Sequence, residues 1–297
     1  MKNFSIKVVE RLSGIKAHTI RVWEQRYGLL QPERKQARHR VYSKDDLKSL
    51  LKIVYLYNQG HRISTLALLN PAQIDDLIRS NKEKQSWTDF AIVLLIEAVL
   101  DMDETSFMKV VFELEKKFDF EFMMVQFFLP LLHRIGILWM TDRIFPGLEH
   151  FASHMVIRKL MEATDYLKEN PVQRPGKIML ITPQDGFHEI SLLFMRYLLK
   201  KNGYNTVYLG CNTSLDTAKV YYNKHHPTHI YVNFITNLQK EFTGDYLKKM
   251  RRIFPRVYLV ASGKSLQLSE PSLQGVRILS NEEQLLDFAC NIFNHAD

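Results

Sequence analysis

The chain has 297 residues, of which 46% are hydrophobic and 24% are charged. This ordinary globular balance excludes wholesale disorder and predicts two or three domains. Its two cysteines, Cys211 and Cys290, exclude a disulfide framework and indicate a reducing compartment. The longest uncharged apolar stretch, residues 122–132, is too short to span a bilayer, and the amino terminus has no signal-peptide core. We therefore expect a soluble, cytoplasmic protein without a membrane partner.

The positive charge is concentrated at the amino end. The net charge is +8, but residues 1–64 alone hold fourteen lysines and arginines against five acidic residues. The remaining chain holds 26 basic and 27 acidic residues. Because an even scatter would indicate only solubility, a confined basic module predicts a polyanionic partner.

The first predicted elements form a helix-turn-helix. Ser5 can cap a first helix through Leu12, the turn Ser13-Gly14 follows, and a second helix runs from about Lys16 to Arg26. Residues 29–42 predict a short basic hairpin, or wing. Ser43 then caps a third helix that continues to about residue 59.

The start of the second helix is the candidate reading surface for DNA. Readout of the major groove uses polar and basic side chains near the start of such a helix. Here these are Lys16, His18, Thr19 and Arg21. Trp23 and Tyr27 are predicted to lie in the core of the module.

Two short motifs of this region resemble the MerR family of winged-helix transcription regulators. They are Ile20-Arg21-x-Trp23-Glu24-x-Arg26-Tyr27-Gly28-Leu29 and Arg38-x-Arg40-x-Tyr42-Ser43. Their form is similar to the branch with light- and cobalamin-responsive repressors of carotenoid genes. The resemblance covers about residues 4–69 and implies a dimer on double-stranded operator DNA, with Arg21 in the major groove. It implies that the wing contacts phosphate or the minor groove through Arg38, His39, Arg40 and Tyr42.

The middle of the chain predicts a four-helix bundle. After a helical stretch from Pro71 and a polar linker at residues 81–86, helical spacing of apolar residues continues to about residue 170. Breaks are expected at residues 101–103, 117–119 and 141–143. The methionines and phenylalanines of residues 120–128 are predicted to form the bundle core.

One spacing in this bundle resembles the cobalamin-sensing branch of the same family. Trp139 is followed, after nine residues, by Glu149-His150. The resemblance implies that Trp139 stacks over the upper axial group of the corrin and that Glu149 hydrogen-bonds that group. His150 would lie within reach of cobalt, for which imidazole is a good ligand. The alternative is a packed tryptophan and an ordinary helix histidine, and common ancestry is favoured over it.

The last part of the chain predicts a flavodoxin-like, doubly wound parallel sheet, because strands alternate with helices after the linker at residues 171–176. Predicted strands are 177–182, 206–209, 229–234, 256–260 and 276–279, and predicted helices are 190–202, 215–225, 242–253 and 282–293. The histidines at 225, 226 and 229 are predicted to lie in a solvated turn.

The expected fold is thus multidomain α and α/β. Its parts are a winged helix-turn-helix at 1–70, a four-helix bundle at 71–170 and a flavodoxin-like domain at 177–297.

The loop after the first of these strands resembles a cobalamin-binding loop of pattern Asp/Glu-x-His-x-x-Gly. By that resemblance His188 aligns with the lower axial ligand of cobalt. Gly186 stands in place of the acid and Ser191 in place of the glycine. Phe234 stands where a small residue borders the cavity for the nucleotide tail, and Ser262-Gly263 replaces the usual pair of glycines.

Two interpretations of the carboxyl-terminal half stay open. Either it binds cobalamin (adenosylcobalamin) as a sensor, or it has lost the cofactor and serves as an oligomerisation or protein-interaction module. A filled tail cavity weighs towards loss, because overpacking adds strain to the lost contacts. In both cases we expect a DNA-binding repressor that acts as a dimer or tetramer, with a regulatory protein as a further candidate partner. A cobalamin-dependent enzyme component is the alternative class, and the amino-terminal module argues against any enzyme.

Overall fold

The computed structural model describes residues 4–35, 39–80, 87–139, 146–167, 174–186, 188–234, 240–263, 266 and 275–292. The chain divides into two compact units, residues 1–155 and 156–297, and the division falls within a helix. Each unit has its own buried apolar core. The units are therefore described one at a time.

The amino-terminal unit begins with the predicted helix-turn-helix. Helix α1 (Ile6–Ser13) and helix α2 (Ala17–Tyr27) each end at a glycine in the left-handed conformation. Gly14 has φ 76° and Gly28 has φ 64°, values that glycine adopts without steric cost. The apolar face of α1 is buried through Val8, Val9 and Leu12, and α1 packs on α2 and on the third helix.

The wing is a three-stranded antiparallel sheet. Its strands are β1 (Phe4–Ser5), β2 (Glu33–Lys35) and β3 (His39–Tyr42), in the order β1-β3-β2. The expected side-chain cap by Ser5 is wrong. Ser5 lies before α1 but makes no capping hydrogen bond, and its backbone pairs with Val41 in β3. The wing therefore has three strands, where the sequence predicted a two-stranded hairpin.

Helix α3 (Lys44–Asn58) begins as predicted. The Asp46 amide donates to Ser43 Oγ at 3.0 Å, and the Ser43 amide donates to Asp46 Oδ2 at 2.9 Å. This reciprocal capping box satisfies two amides that the first helical turn leaves unpaired. Short helix α4 (Ile63–Leu66) and helix α5 (Pro71–Ser80) follow.

The bundle helices follow α5 in the chain. They are α6 (Trp87–Asp101), α7 (Glu104–Glu115), α8 (Phe120–Met123), α9 (Leu129–Trp139) and α10 (Pro146–Asp165). A π-helical turn, Met124–Phe128, joins α8 to α9. The breaks expected at 101–103 and 117–119 are confirmed, because the side chains of Asp103 and Asp119 cap α7 and α8. The break expected at 141–143 lies outside the described residues.

The predicted bundle core is confirmed for most of the stretch at 120–128. Met123, Met124, Phe127 and Phe128 are fully buried. Phe122, at 39% exposed, stays at the surface. Helix α6 packs against α7, the π-helical turn and α9, and on its other side against α3.

The second unit contains a five-stranded parallel sheet. Its strands are β4 (Arg174–Ile181), β5 (Tyr204–Gly210), β6 (His229–Asn233), β7 (Tyr258–Ser262) and β8 (Val276–Leu279). The order β5-β4-β6-β7-β8 is that of a flavodoxin-like, doubly wound fold, with its switch point between β4 and β6. Between and after the strands run α11 (Ile190–Lys201), α12 (Leu215–His225), α13 (Lys240–Ile253) and α14 (Glu282–Cys290).

The parallel register corrects two predicted strand ends. Strand β4 starts at Arg174, inside the expected linker, because the Arg174 amide donates to the Gly203 carbonyl at 2.9 Å. Strand β7 starts at Tyr258, two residues later than predicted, because Tyr258 is the register partner of His229. Sheet pairing, rather than local propensity, sets both positions.

The solvated turn predicted for His229 is also wrong. His229 is the first residue of β6, pairs with Ile178 and is only 2% exposed. Burial lowers the pKa of His229 to about 4. Among the described residues, no group of three or more histidine, cysteine and acidic side chains could hold a metal ion. None of the described helices is long and apolar enough to cross a membrane.

Candidate functional sites

Helix α2 presents one polar face to solvent. Ile20 and Trp23 are buried, whereas Lys16, His18 and Arg21 are exposed. Thr19 is half-buried, and its hydroxyl lies 3.2 Å from Nε2 of His18. The predicted core position of Trp23 is confirmed by its edge-to-face contact with Tyr57 at 5.1 Å between centroids, while Tyr27 is only half-buried.

Glu24 joins this helix to the wing. Its carboxylate accepts hydrogen bonds from Nε of Arg40 at 2.8 Å and from the hydroxyl of Tyr42 at 3.1 Å. The hydrogen bond and charge of Glu24 raise the pKa of Arg40. Burial, followed by the charge of Glu24, raises the pKa of Tyr42 well above its usual value. Arg40 therefore stays cationic and Tyr42 stays neutral across the physiological range.

The predicted wing residues take different positions. Tyr42 is fully buried, and its hydroxyl donates to Glu24 at 3.1 Å, so the predicted contact with a duplex does not fit its position. The side chain of Arg40 is 22% exposed. His39 begins β3, but its side chain lies outside the described part, as does the whole of Arg38.

Three residues on or beside this surface are not among the DNA-contacting residues predicted from the sequence. Val22, which is 46% exposed, and Gln25, also exposed, lie on the face that carries His18 and Arg21. Val22 lies four residues after His18, and Gln25 lies four residues after Arg21, so helical spacing alone places both on this face. An apolar side chain suits the methyl group of thymine, and glutamine suits the edge of adenine. The third residue is Glu24, which lies within a predicted motif but whose contacts with the wing the sequence does not predict.

Part of the basic surplus is neutralised inside the amino-terminal unit. Helix α3 carries three lysines at a spacing of four residues, and each pairs with an acid of α5 or α6. Lys44 Nζ lies 2.5 Å from Asp101, and Lys48 contacts the same carboxylate. Lys52 Nζ lies 2.8 Å from Asp75 and 3.9 Å from Glu97. These ion pairs, defined here as the α3 ion-pair row, hold the winged module on the bundle.

On α10 the structure places two of the predicted corrin-facing residues side by side. Glu149 is half-buried and accepts a hydrogen bond from Oγ of Ser153 at 2.7 Å. The His150 side chain is 76% exposed, and its Nδ1 lies 4.0 Å from Oε2 of Glu149. Trp139 is the last residue of α9, and its side chain lies outside the described part. An exposed imidazole beside a fixed carboxylate is a suitable donor pair for a metal-centred group.

In the second unit, the loop between β4 and α11 is tied down by hydrogen bonds. The Thr182 hydroxyl donates to the Gly186 carbonyl at 2.7 Å, and the Gly186 amide donates to the Pro183 carbonyl at 3.0 Å. From the neighbouring loop, the Asn212 amide donates to the same Gly186 carbonyl at 2.9 Å. The Asp185 amide donates to Oδ1 of Asn212 at 2.9 Å.

His188, the predicted lower ligand, is exposed on this loop. The neighbouring acid, Glu189, is occupied elsewhere, because it accepts a hydrogen bond from the Tyr208 hydroxyl at 2.5 Å. Burial, and then Glu189, raise the pKa of Tyr208 well above its usual value. Tyr208 also lies under the guanidinium of Arg196, 5.4 Å from the ring centroid.

The ends of β6 and β7 are closely packed. Phe234 is fully buried and meets the ring of Tyr246 edge-on at 5.8 Å. The hydroxyl of Ser262 makes its hydrogen bonds within the sheet. It bonds to the hydroxyl of Tyr231 and accepts from the side-chain amide of Asn233 at 2.7 Å. Gly263 presses on the backbone of Phe234 so closely that an added Cβ would lie 1.9 Å from the Phe234 carbonyl oxygen.

Two family comparisons match separate parts of this chain. Residues 4–71 match the MerR HTH family regulatory protein, and residues 93–163 match the B12 binding domain. The first range contains α1 to α4 and the wing, and the second contains Trp139, Glu149 and His150. The chain therefore combines a segment similar to the MerR helix-turn-helix family with a segment similar to the B12 binding domain.

Comparisons with whole proteins match two transcriptional repressors and one corrinoid protein. The HTH-type transcriptional repressor CarA of Myxococcus xanthus is 26% identical over 70% of this chain and 68% of its own length. The HTH-type transcriptional repressor CarH of the same organism is 24% identical over 86% of each chain. The monomethylamine corrinoid protein of Methanosarcina barkeri shares the fold, with a TM-score of 0.54 and 13% identity over 67% of this chain and 96% of that chain.

Proposed function

We propose that this chain, which joins a MerR-type helix-turn-helix domain to a B12-binding segment and is homologous to CarA and CarH, is a DNA-binding transcription regulator that acts as a repressor. The observation that carries the proposal is the exposed polar face of α2, fixed to the wing through Glu24. We place this regulator in the cytoplasm and assign it no enzymatic activity.

The helix and the wing have separate roles on the duplex. Lys16, His18, Thr19 and Arg21 enter the major groove from α2, where side chains read base edges. Arg38, His39 and Arg40 contact phosphates from the wing, which gives affinity without sequence information. Tyr42 contributes from the interior by holding Glu24.

The oligomeric state of the chain controls its affinity for DNA. Two or four copies present two or more winged modules to repeated half-sites, so that a change of oligomeric state changes affinity for the operator. A ligand or a regulatory protein partner shifts this equilibrium only by binding the two assemblies with different affinity.

The B12-binding segment supports cobalamin as the ligand class. Glu149 and His150 on α10, with Trp139 at the end of α9, are the residues that would face the corrin from the bundle. When bound, cobalamin supplies a corrin-held cobalt centre as the sensing group. The fold shared with a corrinoid protein leaves an enzyme component as the alternative class, but the winged module of residues 4–71 favours a regulator.

The test is duplex binding by the full chain. A preferred site is first selected from random duplexes, and its affinity is then measured by fluorescence anisotropy at several salt concentrations. We expect Arg21→Ala to weaken binding by about tenfold or more, because one base-reading arginine contributes about 1–3 kcal/mol. Arg40→Ala weakens binding to all sequences alike.

The matched control is Lys219→Ala, which removes one exposed cationic side chain from α12 of the sheet unit. This variant should bind the selected duplex as the unmodified chain does. Equal affinity for Arg21→Ala, Arg40→Ala and Lys219→Ala would contradict the proposed interface.

A further inference from the structure

The loop that carries His188 is closed by its own hydrogen bonds. The Gly186 carbonyl accepts from both Thr182 Oγ1 and the Asn212 amide. A Cβ at position 186 would lie 3.0 Å from the Pro183 carbonyl oxygen and 3.2 Å from Oγ1 of Thr182. The cobalamin-loop pattern requires an acid at this position. That side chain fits here only if the Pro183 carbonyl and the Thr182 side chain, both held by hydrogen bonds, move by a few tenths of an ångström.

No carboxylate supports His188 within the described part of the chain. Glu189 accepts from the Tyr208 hydroxyl, and the Asp185 backbone is held by Asn212. A metal-ligating histidine almost always donates its second ring N–H to a carboxylate, a backbone carbonyl or a water, and losing that partner typically costs 10–100-fold in metal affinity. His188 lacks the carboxylate partner that the cobalamin-loop pattern supplies two residues before it.

Among the residues that the structure describes, the ends of the neighbouring strands β6 and β7 are closely packed. The Phe234 ring fills the space beside Tyr246 and belongs to the apolar cluster between β6 and the helices on one face of the sheet. Gly263 is in contact with the Phe234 backbone, and the Ser262 hydroxyl is bonded within the sheet. Opening this site means displacing a packed aromatic side chain and breaking buried hydrogen bonds.

We propose that the carboxyl edge of the sheet unit is closed to cobalamin: His188 is not a cobalt ligand, and the nucleotide tail has no site beside Phe234. The residues of this edge thus do not fit the group. A corrin bound by this chain would be held without the histidine of the sheet unit. The inference rests on the proposed function only in the choice of ligand.

The experiment uses the full chain labelled with ¹⁵N-histidine. It is mixed with cob(II)alamin and studied by electron paramagnetic resonance, in which a bound ¹⁵N ligand splits the cobalt signal into doublets. In parallel, the chain is incubated in the dark with adenosylcobalamin or with cobinamide, which has no nucleotide tail. Retained pigment is measured after gel filtration. The variants are His188→Ala and, as a matched control at the other end of the sheet, His225→Ala.

We expect no ¹⁵N splitting that depends on His188, equal pigment in the two variants, and no preference for cobalamin over cobinamide. A colourless wild-type chain agrees with a closed edge, and so does a splitting that persists in His188→Ala. A splitting lost in His188→Ala but kept in His225→Ala overturns the proposal, as does tenfold weaker cobalamin binding in the first variant alone. Duplex binding by the same preparations tests the proposed function separately.

Discussion

Glu24 is the side chain on which the geometry of the DNA-binding surface depends. Its carboxylate is 10% exposed and binds both Arg40 and Tyr42, so one residue of α2 positions two residues of β3. Removing it leaves the buried hydroxyl of Tyr42 without its acceptor and frees Arg40. A buried donor left unsatisfied costs about 1–3 kcal/mol.

Glu24→Ala should therefore lower both stability and specific DNA binding. We expect a loss of about 1–3 kcal/mol in the free energy of unfolding and a larger loss of affinity for the selected duplex than for random duplex. The reason is that the wing keeps its charges but loses its fixed position. Urea denaturation and anisotropy measure the two effects.

Two milder variants serve as controls for this residue. Glu24→Gln keeps an acceptor for Tyr42 without the charge, and Tyr42→Phe removes one hydrogen bond while keeping the ring. Both should fall between the unmodified chain and Glu24→Ala. A selected-to-random affinity ratio unchanged in Glu24→Ala would show that Glu24 does not position the wing.

The sequence indicated the residue types of this surface but not the bonds between them. Trp23, Glu24, Arg40 and Tyr42 all lie in the motifs that resemble the MerR family, and the basic surplus pointed to the right module. That Tyr42 faces inward follows from a hydrogen bond across eighteen residues. Such a contact depends on the packing of α2 against β3, which periodicity alone does not specify.

At the scale of elements, the α3 ion-pair row shows that some lysines counted in the basic surplus are neutralised by acidic residues of the same unit. These lysines are not available to a polyanionic ligand. Asp101 receives both Lys44 and Lys48. Burial opposes ionisation of this carboxyl, but the hydrogen bonds from the two lysines prevail and lower the pKa of Asp101. Glu97, by contrast, is mostly buried, and burial raises its pKa despite Lys52.

Asp101→Asn should loosen the packing of α3 on α6. We expect a loss of about 1 kcal/mol or less in stability at low salt, because the groups are partly exposed, and a smaller loss at high salt. Since the pKa of Asp101 is lowered by folding, its contribution is present above about pH 4 and disappears as the pH falls further.

The matched control for this prediction is Asp245→Asn, which removes one partner of the exposed pair with Lys248 on α13. It should leave stability nearly unchanged at every salt concentration. If the two variants melt alike at low salt, the α3 ion-pair row does not stabilise the unit. Thermal unfolding followed by circular dichroism is sufficient for the comparison.

Elements with local signals were predicted closely, and elements with distant partners were not. Helix α3 starts where Ser43 and Asp46 indicated, because a capping box is complete within four residues. Strand β1 was missed because its partner, Val41, lies far along the chain. The start of β4 was missed for the same reason, since Arg174 pairs with the segment around residue 203.

For the molecule as a whole, the chain divides into two compact units of similar size. The sheet unit depends on a position where only glycine fits. Gly263 has φ 127°, and a side chain there would meet the Phe234 backbone at 1.9 Å. The sequence does not reveal this close contact, because it depends on how the end of β6 passes Gly263.

Gly263→Ala should destabilise the sheet unit by at least about 2 kcal/mol, because the new methyl group forces β6 and β7 apart. Gly244→Ala is the matched control, since Gly244 lies in α13 with open space around it. That substitution should raise stability by up to about 1 kcal/mol through helix propensity. A melting temperature equal in both variants would contradict the close contact at Gly263.

The π-helical turn at Met124–Phe128 has a consequence for the buried face of α9. A π turn takes in one residue more than an α turn, so each position of α9 is rotated by about 100° around the axis from its place in an uninterrupted helix. The side of α9 on which Leu131 and Ile135 are buried is therefore set by this turn. A single deletion within the turn would keep both residues on that side, whereas a deletion between the turn and Ile135 would carry Ile135 out of it.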